Sequence, residues 1–319
     1  AFSGYPPLLR ETVEGLLHYP YGCNEQVSAQ IGAVGVVYAG AKRSLFEGEG
    51  EEKMSRAYEI IQTGLGQLRA RNPGAVRLWP LWPRGNPEVG ATVMIARNLL
   101  PLIEMQEAFP LAGDILAGIR EGLLRAGIQE ASLIPLDRRF YQGIPPETVE
   151  EAAFAYLHHP DSEVKESCLD YLRETAQVQG EKACWKNTRA WAGPLEATCC
   201  AAQALYRAED PLREKAFRYI AGHLQGRTLF STRDTVELIK LLGLIAAASP
   251  KNGRPLVIVD GREAVLDRTL SGQRLEVKEG QVIARVEREE MRDLQAMRSS
   301  VPLRVEIDPP SPRLGEKVR

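Results

Sequence analysis

The stretch YPYGCNEQVSAQIGAVGVVYAGA, residues 19–41, joins a turn to an apolar helix and places two reactive side chains at the junction. Its second half belongs to a run from Glu25 to Ser44 with the spacing of a long helix. In the first half, Pro20 fixes one backbone torsion and Gly22 tolerates conformations closed to other residues, so the turn delivers Cys23 to the start of that helix. A cysteine there tends towards the thiolate. Residues three apart on a helical turn share a face, which puts the Gln26 side-chain carbonyl within reach of the Cys23 sulfur.

Outward from this point, apolar residues recur at three- and four-residue spacing from about residue 8 to 248, with breaks at Gly or Pro. Further helices are predicted over Lys53 to Arg71, Pro87 to Ala108, Leu111 to Ile128, Pro146 to Leu157, Ser162 to Gln177, Pro194 to Arg207, Leu212 to Leu224 and Thr232 to Ala248. Asp161 or Ser162 and the pair Ser231 and Asp234 are caps for first-turn amides. Antiparallel helices on short loops make either a solenoid or a closed ring of hairpins, and the absence of a fixed sequence period favours the ring. After Pro250 the pattern changes to strands: the β-branched run Pro255 to Asp260 ends at an Asp260-Gly261 turn signal, and Arg274 to Val277, Val282 to Glu287 and Val301 to Ile307 continue it. Residues 251–319 therefore read as part of a β-sandwich.

Composition narrows the functions. The 319 residues are 44% hydrophobic, enough for one large core and a smaller module. Lys and Arg number 40 against 42 Asp and Glu, interspersed, so no basic stripe argues for nucleic acid or an anionic membrane. The longest apolar runs, Ile31 to Ala41 and Leu238 to Ala248, fall short of the ~20 residues that span a bilayer. Cys23, Cys168, Cys184, Cys199 and Cys200 form neither a disulfide framework nor a CxxC pair, and with His18, His158, His159 and His223 they give no zinc spacing, so neither metal nor cofactor is expected. His158-His159 reads as a helix-end cap and Cys199-Cys200 as core. Trp79, Trp82, Trp185 and Trp191 read as packing residues over helix ends rather than as a ligand groove.

Condensation of the Cys23 thiol with the Gln26 amide, with loss of ammonia, gives a thioester. Such a bond is a stored electrophile, open to a lysine amine, a hydroxyl or water, and it needs a dry cover to which Tyr19 and Tyr21 are placed to contribute. The plainer alternative makes Cys23 a small core residue and Gln26 an exposed helix position.

The complete run Tyr19-Pro20-Tyr21-Gly22-Cys23-Asn24-Glu25-Gln26 closely resembles the thioester motif of bacterial α2-macroglobulins and, more loosely, that of complement proteins. Trp82-Pro83-Arg84-Gly85-Asn86-Pro87 resembles the family's Trp-Pro-Gly-Gly-Asn segment, Ser231-Thr232-Arg233-Asp234-Thr235 its Ser-Thr-Gln-Asp-Thr, and Glu196-Ala197-Thr198 a similar helix opening. The resemblance implies a mainly α fold, an α/α toroid of two concentric layers over residues 1–250. Residues 251–308 would then be strands of a flanking β-sandwich (CUB-like) module, and 309–319 the start of a next β domain or a tail. It also implies a single-turnover trap, not an enzyme, that captures attacking proteases covalently through their lysine amines, with other domains of the same parent chain as further partners. Its setting would be the periplasm or cell envelope, or outside the cell, with a lipid anchor on a distant part of the chain. Asn24 stands where other members carry Gly, Leu or another residue, at a position outside the bond. The histidine by which some complement proteins speed transfer has no clear counterpart, and Asp137 lies in about the right part of the chain.

Two other classes share parts of this pattern. A surface adhesin would use the same thioester to bond host tissue. Terpene cyclases and protein prenyltransferases are also helical rings, but the chain has no adjacent aspartates and no evident Asp, Cys and His zinc set.

Overall fold

The computed structural model describes residues 2–3, 5–17, 22–42, 51–71, 78–105, 107–127, 146, 148–186, 193–224, 229, 231–248, 256–259, 262–264, 275–279 and 283–284. All belong to one compact unit, Phe2–Ala284. The described part is mostly helical. In chain order the helices are α1 (Tyr5–Leu17), α2 (Asn24–Lys42), α3 (Glu51–Ala70), α4 (Val89–Leu99), α5 (Pro110–Arg125), α6 (Val149–His158), α7 (Ser162–Thr175), α8 (Pro194–Arg207), α9 (Leu212–Ala221) and α10 (Thr232–Ala248).

These spans lie close to the sequence expectation, and the departures have local causes. Helix α1 was not anticipated: Pro6 and Pro7 look like breakers, but both sit in its first turn, where an amide has no intrahelical partner to lose. The helix expected over Pro87 to Ala108 divides, because Pro101 lacks the amide hydrogen that would continue α4, and the chain tightens into a 3-10 helix over Leu100–Met105. Helix α6 starts at Val149 rather than Pro146, fixed by a reciprocal cap in which Thr148 accepts from the Glu151 amide and Glu151 from the Thr148 amide. Helix α7 stops at Thr175. The next residues turn back as a hairpin, β2 (Gln177–Gln179) on β3 (Lys182–Cys184), with Gly180 at φ 58° where a β-carbon is costly.

Helix α2 is the hub, packing against α1, α3, α4 and α10. A helix enclosed on so many sides has no wet face to keep polar, and this one is buried along most of its length. Small residues permit the close approach: a β-carbon on Gly32 would strike the Asn98 carbonyl of α4, and one on Gly243 of α10 would strike Val36. The other odd-numbered helices also lie against even-numbered ones, α5 on α4, α7 on α6 and α8, α9 on α8, while α8 joins α6 and α10.

One joint recurs at three even-numbered helices although no sequence period announces it. Near the start of each, a threonine hydroxyl donates to the carbonyl four residues back and accepts from the amide of an approaching residue. Thr92 of α4 joins Glu88 and Trp79 (2.8 and 2.7 Å), Thr198 of α8 joins Pro194 and Trp185 (2.6 and 3.3 Å), and Thr235 of α10 joins Ser231 and Leu229 (2.7 and 3.2 Å). Both tryptophans are fully buried, and each indole donates to a carbonyl of the preceding odd-numbered helix, Trp79 to Leu68 (3.1 Å) and Trp185 to Leu172 (2.8 Å). The tryptophan therefore pins one helix to the next.

The strands are short. β1 (Phe2–Ser3) pairs antiparallel with β7 (Ile283–Ala284), and β4 (Leu256–Val259) lies between β5 (Arg262–Ala264) and β6 (Leu275–Glu279), antiparallel to both, with an irregular register at Leu256/Val257. The expected Asp260-Gly261 turn, the strand Val301 to Ile307 and Trp191 lie outside the described residues.

If the indole bonds hold the hairpins, Trp79→Phe and Trp185→Phe, which keep an aromatic side chain but remove the N–H donor and part of the buried volume, should each lower the free energy of unfolding by at least about 1–3 kcal/mol in a denaturant titration. Unchanged midpoints for both would show that these joints carry no stability.

Candidate functional site

The head of α2 is buried, and its amides need partners that water cannot supply. Cys23 precedes the first helical residue. Its sulfur accepts from the Gln26 amide at 3.4 Å, and its own amide donates to Gln26 Oε1 at 3.2 Å. This is the reciprocal geometry of a capping box, with cysteine in the position that serine or threonine usually holds. The Asn24 amide donates to the Leu81 carbonyl (2.9 Å) and its side chain to the Pro80 carbonyl (2.8 Å). Arg71, just past α3, donates to the Gly22 carbonyl (2.8 Å) and to Asn24 Oδ1 (3.2 Å). Asn24, passed over in the sequence as outside the bond, is thus the anchor of the turn and has no exposed surface.

Glu25 points inward and is 5% exposed. Both its oxygens accept from the Thr232 hydroxyl, at 3.2 and 3.1 Å, and its Oε2 lies 3.9 Å from Cys23 Sγ. Burial pushes its carboxyl up to about 7, against the Thr232 hydrogen bond and the Arg233 charge, while nearby Glu196 adds to the rise. Deeper in, several buried charges are paired, although neither oxygen of the buried Glu150 carboxylate accepts a hydrogen bond among the described residues. Arg233 pairs with Glu196; Lys240 bonds Glu237 at 2.7 Å, Gln203 donates to the same carboxylate at 2.8 Å and Arg97 stands 3.7 Å away. Burial alone would raise Glu237, but Lys240 and Arg97 hold it down at about 2. Asn98 links this group to α2 by donating to Ser28, whose hydroxyl donates to the Glu25 carbonyl.

Several expectations change. The Cys23 side chain is buried at 4% exposure, and burial pushes its thiol up from the ordinary cysteine value, more than the Gln26 amide draws it down; the expected thiolate is a thiol. Gly22 is not among the described residues at positive φ, and a β-carbon there would meet nothing within 4 Å, so its part is the carbonyl it offers Arg71. Trp82 is 54% exposed, whereas Trp79 and Trp185 are core residues. His158 ends α6, and the His159 amide donates to the Ala155 carbonyl as a helix-end cap. Cys199 and Cys200 are buried, and Cys200 accepts from Arg97 at 3.0 Å. Tyr19, Pro20, Tyr21, His18 and Asp137 lie outside the described residues. Among the described residues no helix is long and apolar enough to cross a membrane.

Sequence reading missed Thr232, Arg71 and Asn98. Thr232 had a signal, its place in Ser231-Thr232-Arg233-Asp234-Thr235, but that string was read as a helix opening. Ser231 and Asp234 do form the expected cap, each side chain accepting from the other's amide.

Known proteins offer no guide here: no family model matches the chain, and no curated protein does. The geometry is testable directly. A carboxyl raised from 4.5 to about 7 on folding contributes stability that is fully present below pH 4.5 and is lost as pH rises through 7, so relative to Glu25→Gln the wild-type thiol form should lose roughly 3 kcal/mol across that window. Parallel stability profiles for the two proteins between pH 4 and 8 would contradict the burial of Glu25.

Proposed function

We propose that this chain is the thioester-bearing helical domain of a covalent protease trap of the α2-macroglobulin kind, with Cys23 and Gln26 as the bonded pair. The observation that carries the reading is the reciprocal Cys23–Gln26 contact inside the Tyr19–Gln26 run, with the sulfur buried. A capping box needs only an oxygen acceptor at this position, which serine supplies better than cysteine. Cysteine adds a nucleophile.

The same contacts suit the chemistry. Attack of the sulfur on the Gln26 side-chain carbon places negative charge on Oε1, and the Cys23 amide already donates to that oxygen at the positive end of α2. The Arg71 and Asn24 bonds hold the turn so that sulfur and amide stay in register. Cys23, Asn24 and Glu25 are buried and Gln26 is half-buried, so the sulfur side of the bond is shielded from water, which slows hydrolysis.

In the full trap a protease would cut an exposed bait segment elsewhere in the parent chain, and the rearrangement would uncover the thioester beside a lysine of the same protease at high effective concentration. Lysine attack frees Cys23 and leaves Gln26 amide-linked to the protease. The acyl group is consumed once. The pairing of odd-numbered helices with even-numbered ones, and of even-numbered ones with each other, supports a ring of helical hairpins in two layers with the even-numbered set inside. A flanking β-sandwich after residue 250 and a periplasmic or envelope setting belong to the same reading.

The test is to expose the full-length protein to a protease and separate the products under denaturing conditions. A covalent adduct should form with the wild type and with His158→Ala or His159→Ala, and should vanish with Cys23→Ala. An adduct that survives Cys23→Ala, or purely non-covalent retention by the wild type, would contradict the proposal.

A further inference from the structure

The thioester reading leaves a proton without a carrier. Cys23 is a buried thiol rather than a thiolate, so its sulfur cannot attack until something removes its hydrogen, and the leaving nitrogen of Gln26 departs readily only as ammonia. Cys23 is 4% exposed, which leaves bulk water little access to the sulfur. Among the described residues, the Glu25 carboxylate is within reach.

Resting on that reading, we propose that Glu25 is the catalytic proton carrier of the site, shuttling one proton between Cys23 Sγ and the nitrogen bonded to the Gln26 side-chain carbon. Its Oε2 lies 3.9 Å from Cys23 Sγ, a long but acceptable thiol–carboxylate contact, and Sγ is the atom that bonds to the Gln26 side-chain carbon. Thr232 acts as the positioning residue, its hydroxyl meeting both Glu25 oxygens from α10. In formation, Glu25 takes the thiol proton as Sγ bonds to the side-chain carbon, then gives it to the nitrogen as the carbon–nitrogen bond breaks; ammonia leaves and Glu25 is again a carboxylate. In capture the same path runs backwards. An amine nitrogen bonds to the carbon, Glu25 takes its proton and returns it to Sγ as the carbon–sulfur bond breaks, leaving an amide and a thiol.

The surroundings suit a group that must both accept and release a proton near neutrality. Arg233 on α10 and the Thr232 hydroxyl favour the carboxylate, burial and Glu196 on α8 favour the acid, and Arg71 beyond α3 stands on the Cys23 side. The balance places Glu25 between an ordinary carboxylate and the raised Cys23 thiol.

The experiment follows methylamine addition to the full chain by mass, with rate constants expressed per unprotonated amine from pH 5 to 9, in wild type, Glu25→Gln, Thr232→Val and Cys23→Ala. Wild type should show an inflection near neutral pH. Glu25→Gln should react at least ~100-fold more slowly, without the inflection, and should form its thioester correspondingly slowly. Thr232→Val, which removes a donor to the ionised carboxylate, should keep the inflection but move it to higher pH, and it serves as the deciding variant should Glu25→Gln fail to fold. Equal rates and profiles in wild type and Glu25→Gln, or in wild type and Thr232→Val, would overturn the relay while leaving the thioester intact. A wild type that adds no methylamine, like Cys23→Ala, would overturn the thioester reading and the relay with it.

Discussion

A helix that begins inside a protein must find partners for its first amides, and that constraint governs the site. Helix α2 meets it with the Cys23 sulfur, the Gln26 side-chain oxygen and the Leu81 carbonyl. Because the capping groups are a thiol and an amide rather than a hydroxyl and a carboxylate, the interaction that closes the helix end also poises two groups to condense. On the proposed reading, cap and reactive pair are the same two side chains. The close packing of α2 on α4 and α10 then follows, since only a helix buried from its first turn would need such a cap or tolerate Gly32 against a backbone carbonyl.

Burial has a second consequence at Cys23. A helix N-terminus ordinarily lowers a thiol, yet here loss of solvent outweighs the Gln26 amide, and the Glu25 carboxyl beside it is raised as well. On the proposed reading, burial of Cys23 trades a ready nucleophile for the dryness that a stored electrophile requires. Farther in, where Arg97, Lys240 and Glu237 meet, the opposite balance holds, and neighbouring positive charges keep Glu237 ionised despite burial.

Much of this was legible in the sequence because it is local. The three-residue offset of Cys23 and Gln26, the caps at Asp161 and Ser231 and the helices α8 and α10 depend on neighbours within a turn or two, and the structure places them as expected. What was not legible is tertiary. Thr232 meets Glu25 across 207 positions, and Arg71 reaches Gly22 across 49. The Thr92, Thr198 and Thr235 joints escaped notice because the approaching residue lies 13 positions away in two cases and 6 in the third, so they leave no period. The thiolate expectation failed for the same reason: it used the helix and could not know what covered it.

The central claim is that the Cys23–Gln26 pair condenses. Intact-mass measurement of the freshly folded chain, kept free of amines, is its most direct test. The account predicts a mass ~17 Da below that calculated from the sequence, the loss of one ammonia, and no such deficit in Cys23→Ala. A wild-type chain of full calculated mass, with Cys23 freely alkylated after denaturation, would contradict it and leave the head of α2 as a helix cap built around an unreactive thiol.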